Sequence, residues 1–440
     1  MTRKIFTTIV NAIQNQIVRM SENKEYFNHW NNDGDESKIF CRNTKLPLKI
    51  MFWLIVSRIV QSLPVSLSSF FGQLNLPIPS KSAFSMKRRL IKSRLFEDIN
   101  KTLVKEFYNS SPCPRTWKGY VVLACDGSRI ALPNVAELGE TFGYYHTCQG
   151  EELYPSAKAS IFQDTLNNIT VLAKLVEKNE DERYTFEQNY IDANALAGGK
   201  TIMLVDRGYF SYLLMYLMIN SGQLFVMKAR NAPWRTEFLD SGKAESVVEV
   251  TPSRATSIYS NERWRRQQEK KIKLRLVRFN HPDGSVDVLV TNIFDKRIAD
   301  SKDIIRLYRL RWPAETAYGV YKNDMALELF STFRKDGIFQ DFFAALIMYN
   351  LATALSCDCS RHPKNKKINM NVAVGIIHNI CPELSGILDS RTVRKRIRTD
   401  TEYLSHCLTD IRPDRSFKRT RRSRKTNGKF YRHINFAPAV

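Results

Sequence analysis

Read for hydrophobic and polar positions alone, the chain changes its period twice. Residues 1 to about 115 repeat at helical spacing. MTRKIFTTIVNAIQNQIV sets isoleucines and valines among polar residues, and the period recurs over 47–63 and 83–107, punctuated by Pro64, Pro77 and Pro79. From Trp117 the pattern is that of strands, in GYVVLACDGSRIALP, AKASIFQD and NITVLAKLVEK, the last two joined by a short turn. Three antiparallel strands are expected there. A helical stretch over 180–196, an apolar strand over 201–205, a helix through 209–219 and a strand over 223–228 follow. Residues 229–298 carry further strand candidates (SVVEVT, KIKLRLVRF, SVDVLVTNI) and no helical period. Helix returns from 303 to about 329, and 339–356 is apolar on nearly every side, which predicts a buried helix.

Three strands, helix, strand, helix, strand is the order of a ribonuclease H-like sheet. The expected fold is α/β, with a ribonuclease H-like core in two parts (117–228 and 299–360) interrupted by a β-rich insertion (229–298). A helical N-terminal, DNA-binding domain (1–116) precedes it, and a basic C-terminal region (361–440) follows.

Composition narrows the function classes. With 440 residues, 43% hydrophobic and 25% charged, the chain can bury sizeable cores, which excludes disorder as its main state. Lys and Arg outnumber Asp and Glu by 67 to 44, a net charge of +23, so a polyanion is the expected partner, nucleic acid before an anionic membrane surface. The longest apolar runs, 51–56 and 342–355, fall short of the roughly 18 to 20 residues that span a bilayer, and the N-terminus does not read as a signal peptide. A cytoplasmic protein is expected. Eight scattered cysteines suit a reducing compartment, and the spacing of Cys357, Cys359 and His362 matches no standard zinc finger.

The charge is unevenly placed. Residues 361–440 hold 19 Lys and Arg against 6 Asp and Glu, and 415–432 has nine basic residues and no acid, a candidate for phosphate contacts or a solvated tail. Ser80 is placed to cap a helix carrying Lys87 and Arg88, read either as DNA contacts or as a solvated basic face. RWRRQQEKKIKLRLVRF, residues 263–279, interleaves eight bases with Trp264, so Arg263, Arg265 and Trp264 are candidate nucleic-acid contacts. In a nucleic-acid-binding chain Trp234 and Trp264 are candidates for stacking on a base, and either is equally readable as structural.

The chemistry rests on carboxylates. Asp126 follows the apolar strand YVVLAC and Asp206 follows TIMLV, so each emerges at the end of a buried strand. Two carboxylates on neighbouring strand ends can share divalent ions, since hard Mg²⁺ prefers oxygen ligands. Glu315, in LYRLRWPAETAYGVYKND, supplies a third. Tyr308, Arg311, Glu315 and Lys322 are separated by 3, 4 and 7 residues, within roughly 60° of one face of a continuous helix. Pro313 argues for a restart near Trp312, which would leave Tyr308 and Arg311 in a preceding segment.

On these residues the chain resembles the DDE transposases of bacterial insertion sequences, specifically the insertion-sequence-four family with its Tyr-x2-Arg-x3-Glu-x6-Lys signature. Tyr308, Arg311, Glu315 and Lys322 match that signature without a spacing departure, and Asp126 in CDGSRIALP and Asp206 in VDRGYFS match the two family aspartates. The likeness runs from about 80 to 355. It implies an endonuclease and polynucleotidyl transferase that cuts transposon ends and joins them to target DNA. Two Mg²⁺ ions would be held by Asp126, Asp206 and Glu315, with Mn²⁺ substituting, and Tyr308, Arg311 and Lys322 would grip phosphates of the end. The implied partners are terminal inverted repeats, target DNA and a second copy in the synaptic complex. A silent DNA-binding regulator of the same descent, and a ribonuclease H-like nuclease without strand transfer, are the alternatives. Gly198-Gly199-Lys200-Thr201 leads into a strand and lacks the first glycine of a phosphate loop, so ATP binding is not expected. His146 shows no partner spacing.

Overall fold

VVLAC and TIMLV, five residues each without a charged side chain, dictate where this fold is deepest. In the computed structural model, which describes residues 4–28, 40, 45–58, 61–110, 114–146, 152–251, 271–281, 283–360, 362–363, 365–386 and 390–411, every residue of both runs is buried. In chain order come helices α1 (Ile5–Ser21), α2 (Leu48–Val56), α3 (Leu63–Gln73), α4 (Lys81–Arg89) and α5 (Arg94–Ser110). Strand β1 (Val121–Ala131), helix α6 (Ala136–Phe142), strands β2 (Tyr144–His146), β3 (Glu152–Asp164) and β4 (Ile169–Glu177) and helix α7 (Glu182–Leu196) follow. Next are β5 (Thr201–Val205), α8 (Tyr212–Asn220), β6 (Leu224–Lys228), α9 (Pro233–Asp240), β7 (Glu245–Val250), β8 (Ile272–Asn280) and β9 (Val286–Thr291). The last part holds α10 (Ser301–Arg309), α11 (Trp312–Gly319), a π-helical turn (Val320–Asp324), α12 (Lys335–Cys357), β10 (Lys366–Ile368), α13 (Met370–Leu384), α14 (Ser390–His406) and β11 (Leu408–Asp410).

The described residues group into two compact units. One is drawn from Met1–Pro112, Ile130–Ala157 and Gly319–Val440, the other from Cys113–Arg129 and Lys158–Tyr318. The N-terminal helices share a unit with the chain beyond 319.

In the second unit the strands are ordered β4-β3-β1-β5-β6-β9-β8-β7. β1, β5 and β6 run parallel, pairing Cys125 with Val205 and Val205 with Met227. Parallel strands are covered on both faces, which is why these segments read as unbroken apolar runs. β9 pairs antiparallel with β6, β8 with β9 and β7 with β8. The strands of the 229–298 segment, expected as a β-rich insertion, extend the main sheet, where Val288, Leu289 and Val290 are fully buried and continue the core. That core joins Val122, Ala124, Ile202, Leu204 and Val226 to Val277 and Leu289, and takes Ile304, Leu307 and Tyr308 from α10 and Ala314 from α11. The architecture is a mixed α/β sheet with helices.

In the helical unit α12 packs against α1, α2, α5 and α13. Its 23 residues are long and apolar enough to cross a bilayer, beyond what the interrupted 342–355 run suggests, but 94% of its apolar window is buried inside the protein. It is a core helix. Asp358, at its C-terminal end, accepts from the backbone N–H groups of Ile5 (2.9 Å) and Phe6 (3.0 Å), closing the N-terminus of α1 from the far end of the chain. Arg88 of α4 is 6% exposed. Its guanidinium donates to Gln340 Oε1 (2.8 Å), Ser331 Oγ (2.5 Å), Asp341 Oδ1 (2.8 Å) and the Gly337 carbonyl (3.4 Å).

Candidate active site

Asp126 and Asp206 are brought together by strand register. The parallel pairing of β1 and β5 closes at Cys125 and Val205, so the next residue on each strand is a carboxylate, and adjacent strands lie about 4.8 Å apart. β1 does not end there, as the sequence suggests. It runs on to Ala131, and its burial loosens over residues 126–129, which leaves the Asp126 side chain half-buried within a strand. A Cβ at Gly127 beside it would stand 2.9 Å from the Glu182 carboxyl carbon at the start of α7, so a side chain there requires that carboxylate to move.

Glu315 arrives by a different route. α10 is amphipathic and buries Ile304, Leu307 and Tyr308 on the sheet. It stops at Leu310, and α11 restarts at Trp312 with Pro313 in its first turn, where the missing N–H costs nothing. The single-helix geometry for Tyr308, Arg311, Glu315 and Lys322 is thereby corrected: Tyr308 is on α10, Arg311 in the break, Glu315 on α11 and Lys322 in the π-helical turn. The break aims two side chains at the strand ends. The Tyr308 hydroxyl donates to Asp206 Oδ1 at 3.2 Å. Arg311, 11% exposed, donates from Nη2 to Glu315 Oε1 at 2.8 Å, and its Nε lies 3.9 Å from Asp206 Oδ1.

Electrostatics show that the three carboxylates share one field. Burial pushes Asp126 up to about 6; the Arg311 charge and the Gly127 N–H pull it down, while Glu315 and Asp206 raise it further. Burial works against the charge on Arg311, yet its hydrogen bond to Glu315 and the fields of Asp206 and Tyr308 leave its pKa raised. Tyr308 is also raised, by burial first and then by Asp206. Arg311 is thus the counter-charge of an otherwise anionic cluster.

The donor set suits a hard divalent ion, since it offers carboxylate oxygens. Cys125, next to Asp126, is no competing soft ligand: burial pushes its thiol up to about 12, and it lies 3.7 Å from both the Ser160 and Tyr209 hydroxyls. Among the described residues, no three His, Cys, Asp or Glu side chains are gathered tightly enough to hold an ion as they stand. Glu315 is instead paired with Arg311.

The other sequence candidates fare differently. Lys322 pairs with Glu328 at 3.7 Å, and Glu328 also accepts from the Ala131 N–H at 3.0 Å. Arg88 is corrected from a DNA contact to a core residue, its guanidinium being consumed by the network around Asp341. Lys87 places its ammonium 4.9 Å from the centre of the Phe40 ring. Arg263, Trp264 and Arg265, with the 415–432 tail, lie outside the described residues. Trp234 is half-buried against Phe210, ring centroids 5.9 Å apart. The sequence did not single out Tyr318, whose place one turn beyond Glu315 was the available signal and whose hydroxyl reaches the Asp126 carbonyl at 3.1 Å.

Comparison with known proteins places these residues in a family. The "Transposase DDE domain" family matches residues 117–351, more than half of the sequence and a span containing all three carboxylates. The chain belongs to that family. A solved structure described as a piggyBac transposase synaptic complex with hairpin DNA is similar at 12% identity and a TM-score of 0.43, covering 96% of this chain and 86% of that one. No curated protein matches.

Proposed function

We propose that this protein is a cut-and-paste DNA transposase of the insertion-sequence-four type. On this reading its core is ribonuclease H-like, with β4-β3-β1-β5-β6 as the sheet. Asp126, Asp206 and Glu315 would hold two divalent ions, Mg²⁺ with Mn²⁺ as a substitute. The observation that carries it is the register closing at Cys125 and Val205, which sets two carboxylates side by side with Glu315 joined to them through Arg311. When bound, the ions supply a Lewis acid that activates the attacking oxygen and stabilises the leaving one.

The remaining work falls to the chain. Asp126, held up to about 6, is ionised at neutral pH and so is a competent ligand. Arg311 presents a planar fork that a phosphate can take in two parallel hydrogen bonds, releasing Glu315 as it does so. Tyr308 orients Asp206 through its hydroxyl. The chain's +23 charge suits duplex partners, namely the terminal inverted repeats and the target. Two copies would meet in the synaptic complex, in the cytoplasm where the nucleoid lies.

The test is incubation of the full chain with a duplex carrying the element's end and Mg²⁺, resolving nicked, hairpin and joined products. Asp126→Ala, Asp206→Ala and Glu315→Ala should each abolish cleavage while end binding persists. Near wild-type cleavage by any of the three removes the assignment.

A further inference from the structure

Glu315 sits on a helix of only eight residues, with a break before it at Leu310 and a widened turn after it, where the Met325 N–H reaches back five residues to the Val320 carbonyl at 3.0 Å. Its place beside the aspartates is therefore not inherited from a long regular helix. Something local must hold it. Tyr308 holds Asp206, but it does so through the carboxylate, the group a metal ion would take.

A second tie is independent of the carboxylates. Tyr318 lies three residues beyond Glu315, one turn along α11, and is 6% exposed. Its hydroxyl is 3.1 Å from the backbone carbonyl of Asp126 and 2.9 Å from that of Ala159 on β3. One proton is shared between two acceptors at the point where β1 and β3 pass beneath the helix. The tie runs from the helix of the third carboxylate to the backbone of the first, and it does not engage the Asp126 carboxylate.

We propose that Tyr318 is a positioning residue: its hydroxyl sets Glu315 against Asp126, and so sets how tightly the carboxylates take a divalent ion. The four-residue signature does not include it. The inference rests on the reading of Asp126, Asp206 and Glu315 as joint ligands, and the experiment separates the two.

The probe is Mn²⁺ alone, with binding to the full chain followed by electron paramagnetic resonance without DNA. End cleavage and thermal unfolding are followed in parallel. Tyr318→Phe removes one oxygen and keeps the ring. The expected result is a rise of about tenfold in the Mn²⁺ midpoint, with the same shift in the Mn²⁺ dependence of cleavage and a folded, cooperatively melting protein. Tyr318→4-aminophenylalanine, which restores a donor at the same place, should recover most of the shift. A Tyr318→Phe protein with the wild-type midpoint overturns the proposal. So does one that fails to fold, because the hydroxyl is then structural rather than positioning. If wild type and Asp126→Asn bind Mn²⁺ identically, the three-carboxylate reading itself has failed, and the proposal falls with it.

Discussion

Replacing Asp126 by asparagine should destroy cleavage and stabilise the metal-free fold. The carboxyl is held at about 6 instead of its usual 3.8, chiefly by burial. Between those two values the folded chain keeps a proton that the unfolded chain has lost, so wild-type stability falls as pH rises through the window and stays low above it. Roughly two pKa units at about 1.4 kcal/mol each give a cost near 3 kcal/mol at neutral pH. Asparagine carries no charge and can still accept from the Gly127 N–H, so it avoids most of that cost. The same linkage gives about 1.6 kcal/mol at pH 5, which makes the advantage of Asp126→Asn roughly 1.4 kcal/mol larger at pH 7.5 than at pH 5. Urea unfolding of both proteins in EDTA at the two pH values measures this difference directly. Adding Mg²⁺ should then stabilise wild type and not the variant, which narrows the gap. A gap that does not widen with pH, or a variant less stable than wild type at pH 7.5, would refute the claim that burial of this carboxylate opposes folding.

Two further outcomes follow from buried arginines. Arg88→Ala takes its ion-pair partner from Asp341, whose side chain is 3% exposed, so it should cost about 3 to 5 kcal/mol in urea unfolding; a loss under 1 kcal/mol together with weakened DNA binding would restore Arg88 as a DNA contact. Arg311→Lys keeps the charge but not the fork, and single-turnover cleavage of a pre-bound end should slow by more than tenfold; a rate equal to wild type would remove the phosphate-gripping role.

How much of this was legible in the sequence depends on whether the cause is local. The runs VVLAC and TIMLV announce buried parallel strands by themselves, and the carboxylate that ends each run marks the site. The helix break was legible through Pro313. The extension of the sheet by β7, β8 and β9 was not, since an alternating strand reads the same whether it builds a separate domain or joins an existing edge. Only the pairing of Val226 with Thr291 decides that. Arg88 was misread for a related reason: its neighbours Lys87 and Arg89 give it the look of a solvated face, and its partners lie some 250 residues away. Tyr318 was within reach, because its spacing from Glu315 is a single helical turn, but its backbone acceptors carry no mark in a sequence.

The carboxylate of Asp358 on the first turn of α1 has a consequence for the order in which the protein is made. α1 leaves the ribosome near the beginning, and the acid that closes its N-terminus emerges more than 330 residues later. At synthesis rates of about 5 to 20 residues per second, that is a wait of roughly 17 to 70 seconds. During it, α1, α2 and α5 expose apolar faces whose partner, α12, does not yet exist, while the sheet unit has all its strands by residue 291 and its last helix by 319. The nascent chain should therefore complete its middle before its beginning. A message truncated shortly after residue 319 would release α1, α2 and α5 without α12, a substrate for chaperones or proteases rather than a shorter enzyme.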